Sequence, residues 1–567
     1  MNKSVFSFFL TTLCFLAHAE GPHGADIVLR GGLVFDGLLN PGKIQDVAIS
    51  NDRITFIGDA SNISSGLDID VSGLAVTPGF INTLSWATES LLLDGRSQGD
   101  IRQGVTLEVF GEGTSMGPLN NTLRQVLKSR QGDVKYDIPW STLGEYLQHL
   151  ETSGISTNVA SFVGATTVRT YVLGYDDRAP TLAELETMKD LVAQAMREGA
   201  LGVGSSLIYA PGSFANTAEL EALVGTAQEF GGMYISHMRS EGDRLLSSVD
   251  ELISIAKNTG AAAEIYHLKV AGKENWHKFP ALIEKIEAAR AVGLKVSANM
   301  YTYTAGSTGL DAAMPTWAQA GGLSAWIARL KDPQTRNQIA TEMVAPTSDW
   351  ENLLRQAGPE GTLLVGFKNP ALRKYIGQTL AQVAEQRQTT AHEAAMDLVV
   401  EDGSRVQAIY FLMSDDNVRR TIALPWVSFG SDAGSYTASG HFLAQGTHPR
   451  AYGNFARVLG KYSRDEGILS LPEAIHRLAY LPAKRFKLPN RGALKPGYFA
   501  DIAIFDPKSI TDKATYQDPH RYAVGMTHVL VNGKFVLLEG EHTGNMPGRV
   551  VRGPGWQGWS QEAKLSE

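Results

Sequence analysis

The sequence predicts an α/β protein: a (β/α)8 TIM-like barrel, a small β-sandwich formed by both terminal segments, and a helical insertion between barrel strands 7 and 8. Three observations carry that prediction. Short apolar runs alternate with amphipathic segments through the middle of the chain. Runs with a period of two occur at its two ends. One connection, residues 304–425, is far longer than the others.

Taken in order, residues 1–19 have a charged start at Lys3, the apolar run "VFSFFLTTLCFL" and then Ala17-His18-Ala19. This is the pattern of a secretory signal peptide, here cleaved before Glu20. About a dozen apolar residues are too few to span a bilayer. The mature chain is therefore expected to be periplasmic or secreted, with no membrane anchor. Residues 20–77 contain "DIVLRGGLVFDG", "DVAISNDRITFIG" and "LDIDVSG", which alternate and end at Gly, Asn or Asp. Residues 488–552 repeat that texture in "ADIAIFDP" and "THVLVNGKFVLLEGE". Both read as antiparallel strands, and together they are assigned to one β-sandwich domain.

The barrel is assigned to residues 78–487. Its strand candidates are "VTPGFINT", "VTLEVF", "NVASFVG", "ALGVGSS", "GMYISH", "AAAEIYH", "KVSANMY" and "WVSFGS". Between them, "PTLAELETMKDLVAQAMREG" carries a Thr181/Glu184 capping box, while "LSSVDELISIAKNTG" and "FPALIEKIEAARAVG" end at a glycine, as helices do. Eight strands alternating with helices suggest the barrel. A doubly wound sheet gives a similar alternation, and strand counting does not separate the two. The insertion, about residues 311–410, contains "TLAQVAEQR" and "AHEAAMDLVVE". Structureless loops of that length are uncommon, so a helical piece over the barrel mouth is expected. Residues 553–567 form a polar, Gly-rich tail expected to be poorly ordered.

Composition narrows the partners. A net charge of −8 with scattered basic residues argues against nucleic acid or an anionic membrane surface, leaving a small molecule. Cys14, inside the signal segment, is the single cysteine. The mature chain thus has no disulfide, no thiol nucleophile and no thiolate metal ligand.

In a barrel, groups at the carboxyl ends of strands converge on one face. Read in order, those ends offer Glu112 after strand 2, His237 on strand 5, His267 on strand 6 and Asp432 after strand 8. Two imidazoles with carboxylate oxygens suit zinc or a similar metal. Three protein ligands plus an open position make the catalytic form of such a site, in which a carboxylate takes the proton of an activated water. Each residue also has a plainer reading. A lone strand-end histidine is commonly a packed core residue, Asp432 in "FGSDAGS" also suits a helix cap, and Glu112 between glycines suits a turn. Lys269, Tyr301, Ser307 and Arg450 are candidates for an anionic substrate group, Arg450 as a carboxylate fork. His448 beside it is a weaker candidate, for a metal or for an orienting role, and His277, His441 and His542 have no spacing logic.

These pieces carry a resemblance. "GGLVFDG", "TPGFI", "GVTLEVFGEG", "LGYDDRAPTLAELETMKDLVAQAMREGALGVGSSLIYAPG", "ISHMRSEGDRLLSSVDE", "HLKVAG", "YTYTAGST", "GSDAG", "THPRAYGNFARVLG" and "RGALKPGYFADIAIFDP" follow one another along nearly the whole mature chain. The chain resembles the amidohydrolase superfamily and, within it, the D-aminoacylases (N-acyl-D-amino-acid deacylases). The resemblance implies a barrel with a terminal β-sandwich and an insertion near its mouth. It implies one catalytic zinc at His237 and His267, Asp432 as general base and acid, and Lys269, Tyr301 and Ser307 at the substrate carboxylate.

Two departures stand out. The family's bridging cysteine falls in "GNCG", where this chain has the shorter Gly111-Glu112-Gly113, so Glu112 aligns as a replacement ligand. The family's histidine pair after strand 1 is replaced by Leu84 and Trp86 in "TPGFINTLSWATES". Neither can bind a metal, and the resemblance implies that this second position is weak and dispensable. Trp86 is expected to wall the pocket with an apolar face. The reading is a zinc-dependent hydrolase that deacylates N-acyl amino acids, of D configuration on the strength of the resemblance. A dipeptidase or other amidase of the same superfamily is the alternative among enzymes, and an inactive binding protein on the same fold the alternative outside them.

Overall fold

The computed structural model describes residues 24–346 and 349–558. The expected signal peptide and residues 559–567 of the expected tail lie outside those residues. Eight parallel strands form a ring: β1 (Phe80–Asn82), β2 (Val105–Phe110), β3 (Asn158–Ser161, resuming as Val163–Gly164), β4 (Gly202–Ser206), β5 (Met233–His237), β6 (Ala263–Ile265), β7 (Val296–Met300) and β8 (Val427–Phe429). The first part of β3 pairs with β2 and the second with β4. Closure runs from β8 to β1, where the Thr83 N–H and hydroxyl both donate to the Phe429 carbonyl (3.3 and 2.9 Å).

These strands are buried along their whole length, one face inside the ring and the other against helices. That is why they lack a polar, solvent-facing alternation, although several polar side chains, among them Glu108, Glu264 and Asn299, are buried within them. The helices obey the signals in the sequence. Leu182–Arg197 begins with the Thr181/Glu184 capping box. Leu245–Thr259 ends at Gly260, whose φ of 72° is the left-handed cap glycine tolerates. Phe279–Ala291 carries Pro280 in its first turn, where a missing N–H costs nothing.

Both chain ends build a second layer. Nine strands join in one hydrogen-bonded sheet, in which Ala75–Pro78 from the N-terminal segment pairs with Ile502–Phe505 from the C-terminal one. The sheet rolls back on itself: Ile54 at its far edge donates to Tyr498 O and accepts from Gly497 N–H (3.0 and 2.8 Å). Ile27, Leu29, Val47, Ile502, Ile504 and Leu530 share one apolar cluster inside it.

Between β7 and β8 lies the long connection. Among the described residues it contains six α-helices, from Leu323–Lys331 to Asp415–Ile422, and a feature the helical expectation omits: a three-stranded antiparallel sheet of Ala305–Gly309, Gln407–Phe411 and Thr362–Gly366. It has its own apolar core around Trp326, Leu364, Met396 and Tyr410. The start of the expected tail is held as well, with Gly553 N–H bonded to Gly199 O and Gln557 N–H to Arg197 O (2.8 and 3.1 Å). Among the described residues no helix is long and apolar enough to cross a membrane.

Candidate metal centre

Three strand ends deliver one cluster. Glu112 leaves β2 in Gly111-Glu112-Gly113, with φ of 110° and 67° at the two glycines. A Cβ at Gly111 would lie 2.4 Å from the Phe162 carbonyl oxygen, and one at Gly113 would lie 2.4 Å from Ser206 Cβ. Only glycine permits the turn that aims Glu112 inward. His237 ends β5. His267 follows β6 with a φ of 36°, its N–H held by Asn299 Oδ1 at 2.7 Å. Positive φ at a non-glycine residue is sparsely populated and concentrates at functional sites.

Glu112 Oε1 lies 2.9 Å from His237 Nδ1 and 2.9 Å from His267 Nε2. The two rings are 4.4 Å apart and nearly perpendicular. All three side chains are buried, and one donor atom from each falls within 4.8 Å of the others. Tetrahedral zinc with bonds of about 2 Å needs donors roughly 3.3 Å apart, so two nitrogens and one oxygen in this arrangement fit that ion. Glu112 is held well below the usual carboxylate range: burial pushes it up, but the two imidazoles more than reverse this. His267 is raised to about 9, since Glu241 and Glu112 outweigh burial and Lys269.

Glu241 is absent from the sequence-based site. Its carboxylate lies 3.0 Å from His267 Nδ1, 3.7 Å from His237 Nε2 and 2.6 Å from Lys269 Nζ. It therefore backs both imidazoles on the side away from Glu112, as carboxylates behind metal-binding histidines do. The signal was its place four residues after His237. Tyr209 was also overlooked; its ring stands edge-on to His237 at 5.4 Å.

The opposite wall comes from β1 and β8. Asp432 N–H bonds to Leu84 O, and Trp86 N–H to Ala433 O (2.9 and 3.0 Å), which sets residue 86 beside Asp432. Trp86 Nε1–H then donates to Glu112 Oε2 at 2.9 Å and to Asp432 Oδ1 at 3.1 Å. Leu84 is buried in an apolar cluster. Asp432 has a φ of 50°, and its other oxygen pairs with Arg450 Nη2 at 2.8 Å. Its pKa is raised by burial, held back by Arg450 and pushed further by Glu112.

The remaining candidates gather round Tyr301, whose ring faces Arg450 at 4.4 Å and Lys269 at 5.5 Å and lies 6.2 Å from the His267 ring. Arg450 Nε and Nη1 are buried without a hydrogen-bond partner. The Ser307 hydroxyl is turned to Ala408 O at 3.1 Å, and its carbonyl lies 3.5 Å from Arg450 Nη2. His448 is a structural residue and not a metal donor. Its Nε2–H donates to Ala305 O at 2.9 Å and its Nδ1 accepts from Arg450 N–H at 3.0 Å.

The model of the amidohydrolase family matches residues 124–537. The chain belongs to that family. This amidohydrolase, a hydrolase of amide bonds, is 32% identical to the D-aminoacylase of Alcaligenes xylosoxydans xylosoxydans over 93% of its own length and 97% of the relative's. It is 31% identical to the N-acyl-D-glutamate deacylase of the same organism, covering 93% and 96%. Among solved structures it superposes on the N-acyl-D-glutamate deacylase of Bordetella bronchiseptica, complexed with zinc and a phosphonate mimic of the tetrahedral intermediate. The TM-score is 0.78 at 28% identity, covering 93% of this chain and all of the other.

Proposed function

We propose that this amidohydrolase removes the acyl group from N-acyl-D-amino acids, with one zinc held by Glu112, His237 and His267 and with Asp432 as general base and acid. The observation that carries the reading is the meeting of two groups of side chains. The buried triad and the Asp432–Arg450 pair are joined through a single donor, Trp86 Nε1–H. A deacylase needs both, one to polarise the amide and one to move its proton. The D configuration rests on relatives that are D-aminoacylase and N-acyl-D-glutamate deacylase over more than nine-tenths of both chains.

Zinc bound there supplies a Lewis acid that polarises the amide carbonyl and makes water acidic near neutral pH. The protein does the rest. Asp432 takes the proton of the attacking water and returns it to the leaving amine, a role suited to a carboxyl raised by burial. Arg450 has two N–H groups free for the substrate carboxylate, and Lys269 and Tyr301 border the same space. Ser307 borders it through its backbone carbonyl. Glu241 orients the His267 imidazole at 3.0 Å and places its charge 3.7 Å from His237 Nε2.

The test is a panel of N-acetyl D- and L-amino acids and of dipeptides, with zinc counted per chain. Release of D-amino acids, reduced on the order of 10²- to 10⁴-fold in Asp432→Asn with zinc retained, is the expected result. Turnover of dipeptides alone would favour the dipeptidase reading. A chain that holds no zinc even after its addition would favour a binding protein. Export is part of the proposal, and the periplasmic or secreted form should begin at Glu20.

A further inference from the structure

Glu112 Oε2 and Asp432 Oδ1 share one donor atom, Trp86 Nε1. They can therefore be no more than about 6 Å apart, two carboxylates in a buried mouth. Such a pair repels unless something positive stands between them. Resting on the one-zinc reading above, we infer that Trp86 is a positioning residue. Its indole N–H occupies the place of a second cation between Glu112 and Asp432, orients the base toward the triad and closes the site to a second metal.

Several features make the indole suited to this. One N–H is divided between the two acceptors at 2.9 and 3.1 Å, so both carboxylates are satisfied without adding a charge. The nitrogen's lone pair belongs to the ring, and indole is a donor only, so this atom cannot ligate a metal. The main chain on both sides is clamped, which fixes where the indole starts from, while its two carboxylate acceptors hold the half-exposed ring. Ser85 forms a parallel bridge with Ala433, flanked by the bonds from Asp432 N–H to Leu84 O and from Trp86 N–H to Ala433 O. Leu84 is turned into apolar packing and offers no donor atom either.

A solved D-aminoacylase structure, 30% identical with a TM-score of 0.78 and covering 93% of this chain and all of the other, is described by a binuclear centre with one-metal activation and second-metal attenuation. In that protein a second metal lowers activity. In this chain Glu112 and Asp432 are bridged instead by a neutral donor that cannot be exchanged or titrated with zinc.

The experiment counts zinc. The purified protein is equilibrated with a large excess of zinc, passed through a desalting column and analysed for metal, alongside Trp86→Phe and the double variant Leu84→His/Trp86→His. The unmodified chain is expected to stop at about one zinc and to keep its turnover in excess zinc. Trp86→Phe keeps an aromatic ring but loses the donor. It should still hold about one zinc while kcat falls roughly ten- to a hundredfold, the value of a hydrogen bond to a charged group, at unchanged KM. The double variant should take up a second zinc and lose turnover as zinc is added.

Two zincs on the unmodified chain, or an unchanged kcat in Trp86→Phe, would overturn the inference. The count on the unmodified chain does not depend on any variant folding. It also needs no substrate, so a failed N-acyl-D-amino acid screen would sink the deacylase reading and leave the count standing. A second zinc would do the reverse.

Discussion

The two walls of the candidate centre solve one electrostatic problem in different ways. On the β5–β6 side, His237 and His267 stand between two carboxylates, Glu112 in front and Glu241 behind, with Lys269 closing the row. Charge is balanced there by groups that can gain or lose protons and accept a metal in exchange. On the β1–β8 side, Asp432 is balanced by Arg450, which is always charged, and by the neutral N–H of Trp86. The partners on that wall are fixed in their charge, and only Asp432 itself exchanges a proton. The difference teaches that a wall without metal donors is still an ordered part of the site: where the resemblance expects a histidine pair after strand 1, one hydrogen-bond donor, Trp86 Nε1–H, is aimed at Glu112 and Asp432.

The comparison breaks most completely at the exchangeable wall. His237→Ala or His267→Ala removes one of only two nitrogen donors, and zinc per chain should fall from about one to background, with turnover lost alongside it. Metal analysis after desalting checks this. If either variant held its full zinc, the triad would not be the metal site.

A smaller effect is expected one layer out. Glu241→Gln keeps the size of the side chain but removes the charge behind both imidazoles. Zinc affinity should drop roughly 10- to 100-fold, the usual cost of losing such a partner. Competition with a chelator of known affinity measures it. A substrate role for Glu241 would instead leave affinity unchanged and raise KM.

Much of this site was legible in the sequence, for a geometric reason. A parallel barrel sends every strand's carboxyl end to one face, so Glu112, His237, His267 and Asp432 could be grouped from their places after strand-like runs alone. What escaped depends on side-chain direction. Trp86 was assigned an apolar wall, yet its N–H reaches both carboxylates. Glu241 in "RSEG" reads as a solvated turn until the turn is seen to fold back under His237. Ser307 falls near Arg450, but its hydroxyl is taken up by the insertion's sheet. The strand Ala305–Gly309 of that sheet is hard to read because "AGSTG" has a single branched residue, Thr308, among small ones. The barrel strands were readable because they are short, uncharged for the most part and set off by helix-like segments, although they bury polar residues such as Glu108, Ser205, Glu264 and Asn299.

The smallest expected effect sharpens the comparison by contrasting two kinds of histidine. His267 is raised by carboxylates, whereas His448 is driven well below its ordinary value by burial and by Arg450. His448 stays neutral in the folded chain while the unfolded chain takes up a proton below about 6.5. The unfolded state then binds more protons, so this contribution is complete above pH 6.5 and is lost as pH falls from 6.5 toward the folded value. One such group costs about 1.4 kcal/mol of stability by pH 5.5. His448→Gln should lose this part of the acid sensitivity, and urea unfolding of both proteins at pH 7.5 and 5.5 measures it. Three other histidines, buried His528 and half-buried His476 and His542, are lowered too, so the difference between the two slopes is the quantity that counts. Equal slopes would mean that His448 is free to protonate in the fold, and that the fixed charge of Arg450's wall reaches less far than its geometry implies.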